Sequence, residues 1–122
     1  MLLGAVVGQL GERELPSEEI VAPPLAWSEA SSALHESVWR KERTADVGRE
    51  ALDRLVALHV APRSPRELRS EAWRIADLLG WAKTYDAEYL ALASILRCDL
   101  ATLDSGLRSG AARVGIAIRS LA

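Results

Sequence analysis

Two aspartates, Asp86 and Asp104, bracket the apolar and small residues of "KTYDAEYLALASILRCDLATLD" (83–104). A third acid, Glu29, follows the proline pair of "VAPPLAWSEASSAL" (21–34). Carboxylates brought together repel: a pair 4 Å apart costs about 1 kcal/mol in water and several times that where solvent is partly excluded. Such a cluster either takes up a proton or is neutralised by a divalent cation. Hard oxygen donors without His or Cys favour Mg2+ or Mn2+ over zinc, and such an ion can activate water and stabilise charge on a phosphodiester. Each acid also has a plainer reading. Asp86 and Asp104 sit at helix boundaries, where an acid caps free N–H groups and complements the dipole, and Glu29 reads equally as a solvated glutamate on an amphipathic helix. Spacing alone leaves both readings open.

The elements that must position these acids are mostly helices. "PPLAWSEASSALHESVWRKE" opens on a proline pair suited to a first turn. "TADVGREALDRLVALH" has Thr44 as its cap and apolar residues at helical spacing. In "SPRELRSEAWRIADLLG" the pattern predicts Ser64 as cap, Pro65 at the first position, Glu67 completing a capping box and Gly80 as the stop. "TYDAEYLALASILR" follows with Thr84 as cap. Between the helices lie short apolar runs that read as strands: "EIVAP" (19–23), "LHVAP" (58–62), "DLATL" (99–103) and "VGIAI" (114–118). Brief apolar strands alternating with helices predict a parallel sheet covered on both faces, a three-layer α/β/α sandwich with a mainly parallel central sheet. Ligands in such folds gather beyond the C-terminal strand ends, where all three acids map. "LLGAVVGQL" (2–10) is a poor strand and reads as part of a helix, so the sandwich is expected to lack its first strand.

Length and composition bound the rest. A chain of 122 residues, 49% hydrophobic and 26% charged, predicts a single globular domain over 1–122. A net charge of -2 gives no global basic field, which argues against a protein that coats nucleic acid. It leaves room for an enzyme gripping a short stretch of RNA. Only Lys41 and Lys83 are lysines, and the arginine excess reads as coding bias. One cysteine, Cys98, and two distant histidines, His35 and His59, form no metal cluster; Cys98 reads as a small buried hydrophobe. The four tryptophans read as core or interface residues rather than base-stacking platforms. "MLLGAVVGQLGE" is too short to span a bilayer and lacks a signal peptide's basic start, so the expected setting is the cytoplasm, with no membrane.

The second half of the chain carries a specific resemblance. Tyr85-Asp86-Ala87 opens a helix continuing Tyr89-Leu90-Ala91-Leu92-Ala93, followed by a short strand, Thr102, Asp104 and Leu107. This resembles the hallmark of PIN-domain ribonucleases, especially small VapC-like toxins, and "VAPPLAWSEASSAL" is similar to their strand, proline and acid-bearing helix. The likeness runs from about residue 15 to the C-terminus. It implies a metal-dependent endoribonuclease whose acids bind Mg2+ or Mn2+ and direct water at RNA phosphate. Asp86 would then be a direct metal ligand, Asp104 and Glu29 would hold metal-bound waters or a second ion, and Thr102 would orient the cluster by hydrogen bonding. It also implies a homodimer and a cognate antitoxin covering the active site.

One departure stands out. The family's first strand ends in an aspartate at the sheet centre, and nothing before Glu12 is acidic. The expectation is an N-terminally truncated member. The alternative is a catalytically silent PIN-like module that engages RNA or a partner protein without cleavage. A third reading is a helical scaffold in which all three acids are caps.

Overall fold

The computed structural model describes residues 2–3 and 20–119. Four strands of two residues each run parallel: β1 (Leu2–Leu3), β2 (Val21–Ala22), β3 (Ala61–Pro62) and β4 (Leu100–Ala101). They are ordered β3-β2-β1-β4. Leu2 pairs with both Val21 and Leu100, and Leu3 with Ala101. The first residues of the chain therefore fill a central slot. This corrects the expectation that the sheet lacks a strand there and that Leu2 and Leu3 are helical. The physical reason is that β2 and β4 each present a parallel edge whose backbone groups need a partner, and a two-residue strand suffices to bridge them. Residues 4–10 of the expected helix lie outside the described residues.

Helix α1 (Leu25–Trp39) follows a turn in which Ala26 N–H donates to Pro23 O at 3.0 Å. Helix α2 (Ala45–Ala57) is capped by Thr44, whose Oγ1 accepts from Val47 N–H at 3.3 Å. The two helices approach closely at Gly48, where a Cβ would overlap Val38 Cγ2. Helix α3 (Leu68–Leu79) begins later than the sequence suggests. Leu68 N–H donates to Pro65 O, and Glu67 stands at the cap position with helical torsions and no side-chain bond. The Ser64–Glu67 capping box thus does not form: proline and its successors make a separate turn, and backbone carbonyls take the first N–H groups. Gly80 ends α3 in the left-handed region at φ 73°, as expected for a C-terminal glycine.

Helix α4 (Tyr85–Leu96) is the most enclosed element, with Ala87 and Tyr89 to Ala93 all buried. Thr84 precedes it without a side-chain capping bond, so the expected threonine cap is absent. Helix α5 (Ser105–Arg113), which the sequence implied only through the capping reading of Asp104, follows Asp104 as its N-cap. Its Gly110 lies against the Trp81 indole, where a Cβ would stand 2.7 Å from the ring. The run "VGIAI" yields only a single parallel bridge, Leu100 to Ile118. Leu100 N–H donates to Ala117 O, and Arg119 N–H to Leu100 O.

Apolar side chains divide into two clusters. Val21, Leu100 and the inner faces of α3, α4 and α5 form one; Ile20, Ala30, Leu34, Leu55 and Ala101 form the other. Adjacent strand residues join different clusters, which follows from the period-two alternation of a strand. Of the tryptophans, Trp81 packs on the larger cluster. Trp27, Trp39 and Trp73 are 49%, 76% and 67% exposed, which removes them from the core. Cys98 is half-buried against the larger cluster. No helix among the described residues is long and apolar enough to cross a membrane.

The Gly110 contact gives the first prediction. A Gly110→Ala substitution gains about 1 kcal/mol of helix propensity but pushes a methyl into a rigid indole, and overpacking costs about 1–3 kcal/mol. The expected result is a net loss of about 1 kcal/mol, read as a lower urea midpoint at unchanged slope.

Candidate functional site

Parallel strands place their following segments at one edge of the sheet. Glu29 lies in the second turn of α1 beyond β2, and Asp104 lies three residues beyond the end of β4. Because β1 separates β2 from β4, two strand spacings set these supports roughly 10 Å apart. Asp86, in the first turn of α4, bears on both sides: its charge raises the pKa of Glu29, and the charge of Asp104 raises that of Asp86. The structure thus brings Asp86 within electrostatic reach of both Glu29 and Asp104. Among the described residues, no group of three Asp, Glu, His or Cys side chains is close enough to hold a metal ion as it stands.

Each carboxylate is held differently. Asp104 has extended torsions and is a true N-cap: its Oδ2 accepts from Leu107 N–H at 2.8 Å. Thr102, buried at 1% exposure, accepts from Asp104 N–H through Oγ1 at 3.1 Å. The backbone of Asp104 is thereby fixed on one side by a buried hydroxyl and its side chain on the other by α5. Asp86 lies inside the first turn rather than at the cap position. Its local benefit comes from the helix dipole, not from a capping bond. Glu29 Oε1 accepts from the Tyr89 hydroxyl at 2.8 Å, across 60 positions of sequence.

The electrostatics are those of partly buried acids in which desolvation is the largest influence. Partial burial, and then the charge of Asp104, push the Asp86 carboxyl above its ordinary range. Burial also raises Glu29; the Tyr89 bond opposes this and the Asp86 charge adds to it. Glu88 is raised as well, mainly by burial, with Arg69 countering and Glu29 adding. Burial, the Glu29 bond and the surrounding acids push the Tyr89 phenol far up, so it stays a protonated donor.

Sequence reasoning missed the Tyr89–Glu29 bond and the proximity of Glu88. The signal for the first was available: Tyr89 is three residues beyond Asp86 and so on the same helix face. Nothing in the spacing could identify its partner on α1. A groove of about 690 Å³ between α1 and α2, lined by His35, Trp39, Arg49 and others, contains none of these acids. No protein-family model matches the chain, and no curated protein matches it.

The raised carboxyls yield a second prediction. Asp86 has a folded pKa above its unfolded value, so its contribution to stability is fully present below the unfolded pKa and is lost as pH rises through the folded one. At pH 7 the ionised group opposes folding. Asp86→Asn is therefore expected to raise stability at pH 7 by about 0.5 kcal/mol, a figure kept small because the site is open to screening solvent. The gain should shrink as pH falls through the carboxylate range, measured by thermal unfolding between pH 3.5 and 7.5.

Proposed function

We propose that this chain is a metal-dependent endoribonuclease of the VapC-like, PIN-domain type, hydrolysing RNA phosphodiester bonds at the Glu29–Asp86–Asp104 rim. The observation that carries the reading is the placement of Glu29 and Asp104 beyond the ends of parallel strands, with Asp86 coupled to each of them by charge. The Tyr-Asp-Ala and Thr-x-Asp motifs around Asp86 and Asp104 point the same way. Two apolar clusters, to which adjacent strand residues contribute alternately, support a three-layer sandwich as the framework.

The donor set is all oxygen and suits Mg2+ or Mn2+. Bound there, the ion supplies charge neutralisation and a water of lowered pKa. In this reading Asp86 is the direct ligand, and Glu29 and Asp104 act from farther out, in keeping with their strand separation. Thr102 fixes the backbone of Asp104. Arg69, whose charge is felt at Glu88, offers a cation near the rim for RNA phosphate. The proposed setting is cytoplasmic, as a homodimer silenced by a cognate antitoxin protein.

One observation favours a second reading, a silent module that binds RNA or a partner without cutting. The described acids do not close to metal-ligand distance. A single experiment separates the two: single-stranded RNA is incubated with the chain in Mn2+, in Mg2+ and in chelator. Cleavage that needs the metal and falls roughly 100-fold or more in Asp86→Asn supports the nuclease. RNA retention without cleavage supports the silent module, and equal cleavage by the variant removes Asp86 from the site. Independently, Mn2+ at a hundredfold excess over its Kd should stabilise the wild type by about 2.7 kcal/mol. Asp86→Asn should show little of that shift.

A further inference from the structure

Arg63, Arg66 and Arg69 recur at every third residue where the chain leaves β3 and enters α3. All three are exposed, and among the described residues none of them forms an ion pair. Arginines elsewhere behave differently: Arg40, Arg49, Arg54 and Arg74 each meet an acid three or four positions away in sequence. Between Arg63 and Trp73 the chain holds two acids, Glu67 and Glu71. Glu71 is taken by Arg74, through bonds of 3.1 and 2.6 Å. The stretch is left with a local excess of positive charge, although the chain as a whole has a net charge of -2.

The fold sets these arginines in a line. Strand β3 runs parallel to β2, so the segment after it emerges at the same sheet edge as those after β2 and β4. Arg63 is pinned there: its backbone N–H donates to Ala22 O, at the end of β2, at 2.9 Å. Glu67 has helical torsions, which carry the phase of α3 back to Arg66. Arg66, Arg69 and Trp73 then follow at i, i+3 and i+7, on one face. Trp73 is 67% exposed, and it presents its indole to solvent one turn beyond Arg69. Spaced cations match a phosphate backbone, and an open aromatic ring matches an unpaired base; single strands are held by that combination. A duplex keeps its base faces within the stack, where Trp73 has no access. We propose that Arg63, Arg66, Arg69 and Trp73 form a strip that binds single-stranded RNA, with the arginines on its phosphates and Trp73 against a base. The choice of RNA as the polymer rests on the function proposed above, whereas the strip itself needs no ion at the acids. A strand held there meets the acid rim from the β3 side, where the charge of Arg69 reaches Glu88.

The test is binding of a fluorescently labelled single-stranded RNA of about 12 nucleotides to the purified chain in chelator, read by anisotropy over a range of salt concentrations. Each phosphate contact on a single strand contributes roughly 0.7 to the slope of log affinity against log salt. Arg63→Gln, Arg66→Gln and Arg69→Gln together should therefore lower that slope by about 2. Trp73→Ala should weaken RNA binding roughly 10-fold with the slope unchanged, and Trp73→Phe should retain most of the affinity. Inorganic polyphosphate supplies the charges without the bases, so Trp73→Ala should leave its binding unaltered while the triple variant again loses slope. The four side chains are exposed, and circular dichroism establishes that each variant is folded. An unchanged slope in the triple variant, or equal weakening of RNA and polyphosphate by Trp73→Ala, overturns the strip. So does the absence of RNA binding by the wild type, or tighter binding of a polyglutamate peptide, which would assign the face to an acidic protein. Metal-dependent cleavage with the slope intact removes the strip and leaves the nuclease standing; strip-dependent binding without cleavage does the reverse.

Discussion

Helix α4 is apolar on every side, and the rest of the structure is arranged around that fact. From Ala87 to Ala93 its residues are buried almost without interruption, and a helix of that character is stable only when other elements enclose it. Helix α3 covers it along one flank, α5 closes another, and the sheet strands β1 and β4 abut it. Its charged groups are confined to the first turn, where Asp86 and Glu88 meet solvent beside Glu29. The position of the acid rim is thus a by-product of enclosing an apolar helix: the charges emerge where the enclosure ends. Tyr89 is the exception, a polar tip inside the apolar stretch, and its bond to Glu29 reconciles that tip with burial.

Much of this was legible from local pattern. Helices α1, α2, α3 and α4 appear where their apolar spacing places them, and Thr44 and Gly80 act at the termini as their chemistry suggests. The short runs containing Val21, Ala61 and Leu100 become strands, though each is only two residues long. The failures share a cause. A capping box at Ser64 and a cap at Thr84 were read from sequence motifs, but whether a side chain turns back onto its helix depends on the backbone path into it. That path is set by the preceding loop. Leu2–Leu3 looked like a poor strand because glycines follow, yet pairing from two neighbouring strands outweighs intrinsic preference over so short a span. The tryptophans were read as core or interface residues; Trp81 packs on the core, and Trp27, Trp39 and Trp73 lie on faces that the described chain does not cover.

The candidate site divides along the same line. Residue types and boundaries identified Glu29, Asp86 and Asp104 as candidates, the resemblance added Thr102, and the fold sets Asp86 within electrostatic reach of the other two acids. What spacing could not supply was the distribution of roles. Asp104 is anchored at both its backbone and its side chain, Asp86 is held by its helix alone, and Glu29 is tethered to a helix other than its own. The anchors of Asp104 are local, but the tether of Glu29 spans 60 positions, which local pattern does not encode. A rim of unneutralised acids also works against folding, a familiar tension between stability and a working site.

The central position of β1 has a consequence for how the molecule opens. Glu29 and Asp104 depend on strands that do not touch each other; β1 alone joins them, through pairings at Leu2 and Leu3. With two residues per strand, that joint contains few hydrogen bonds and belongs to the low end of local stability. Were it to open, the Tyr89–Glu29 bond would still tie the β2 side of the rim to α4. Anything that binds both acids at once would therefore act as a clasp on the sheet itself, and amide protection along this seam would report occupancy of the rim.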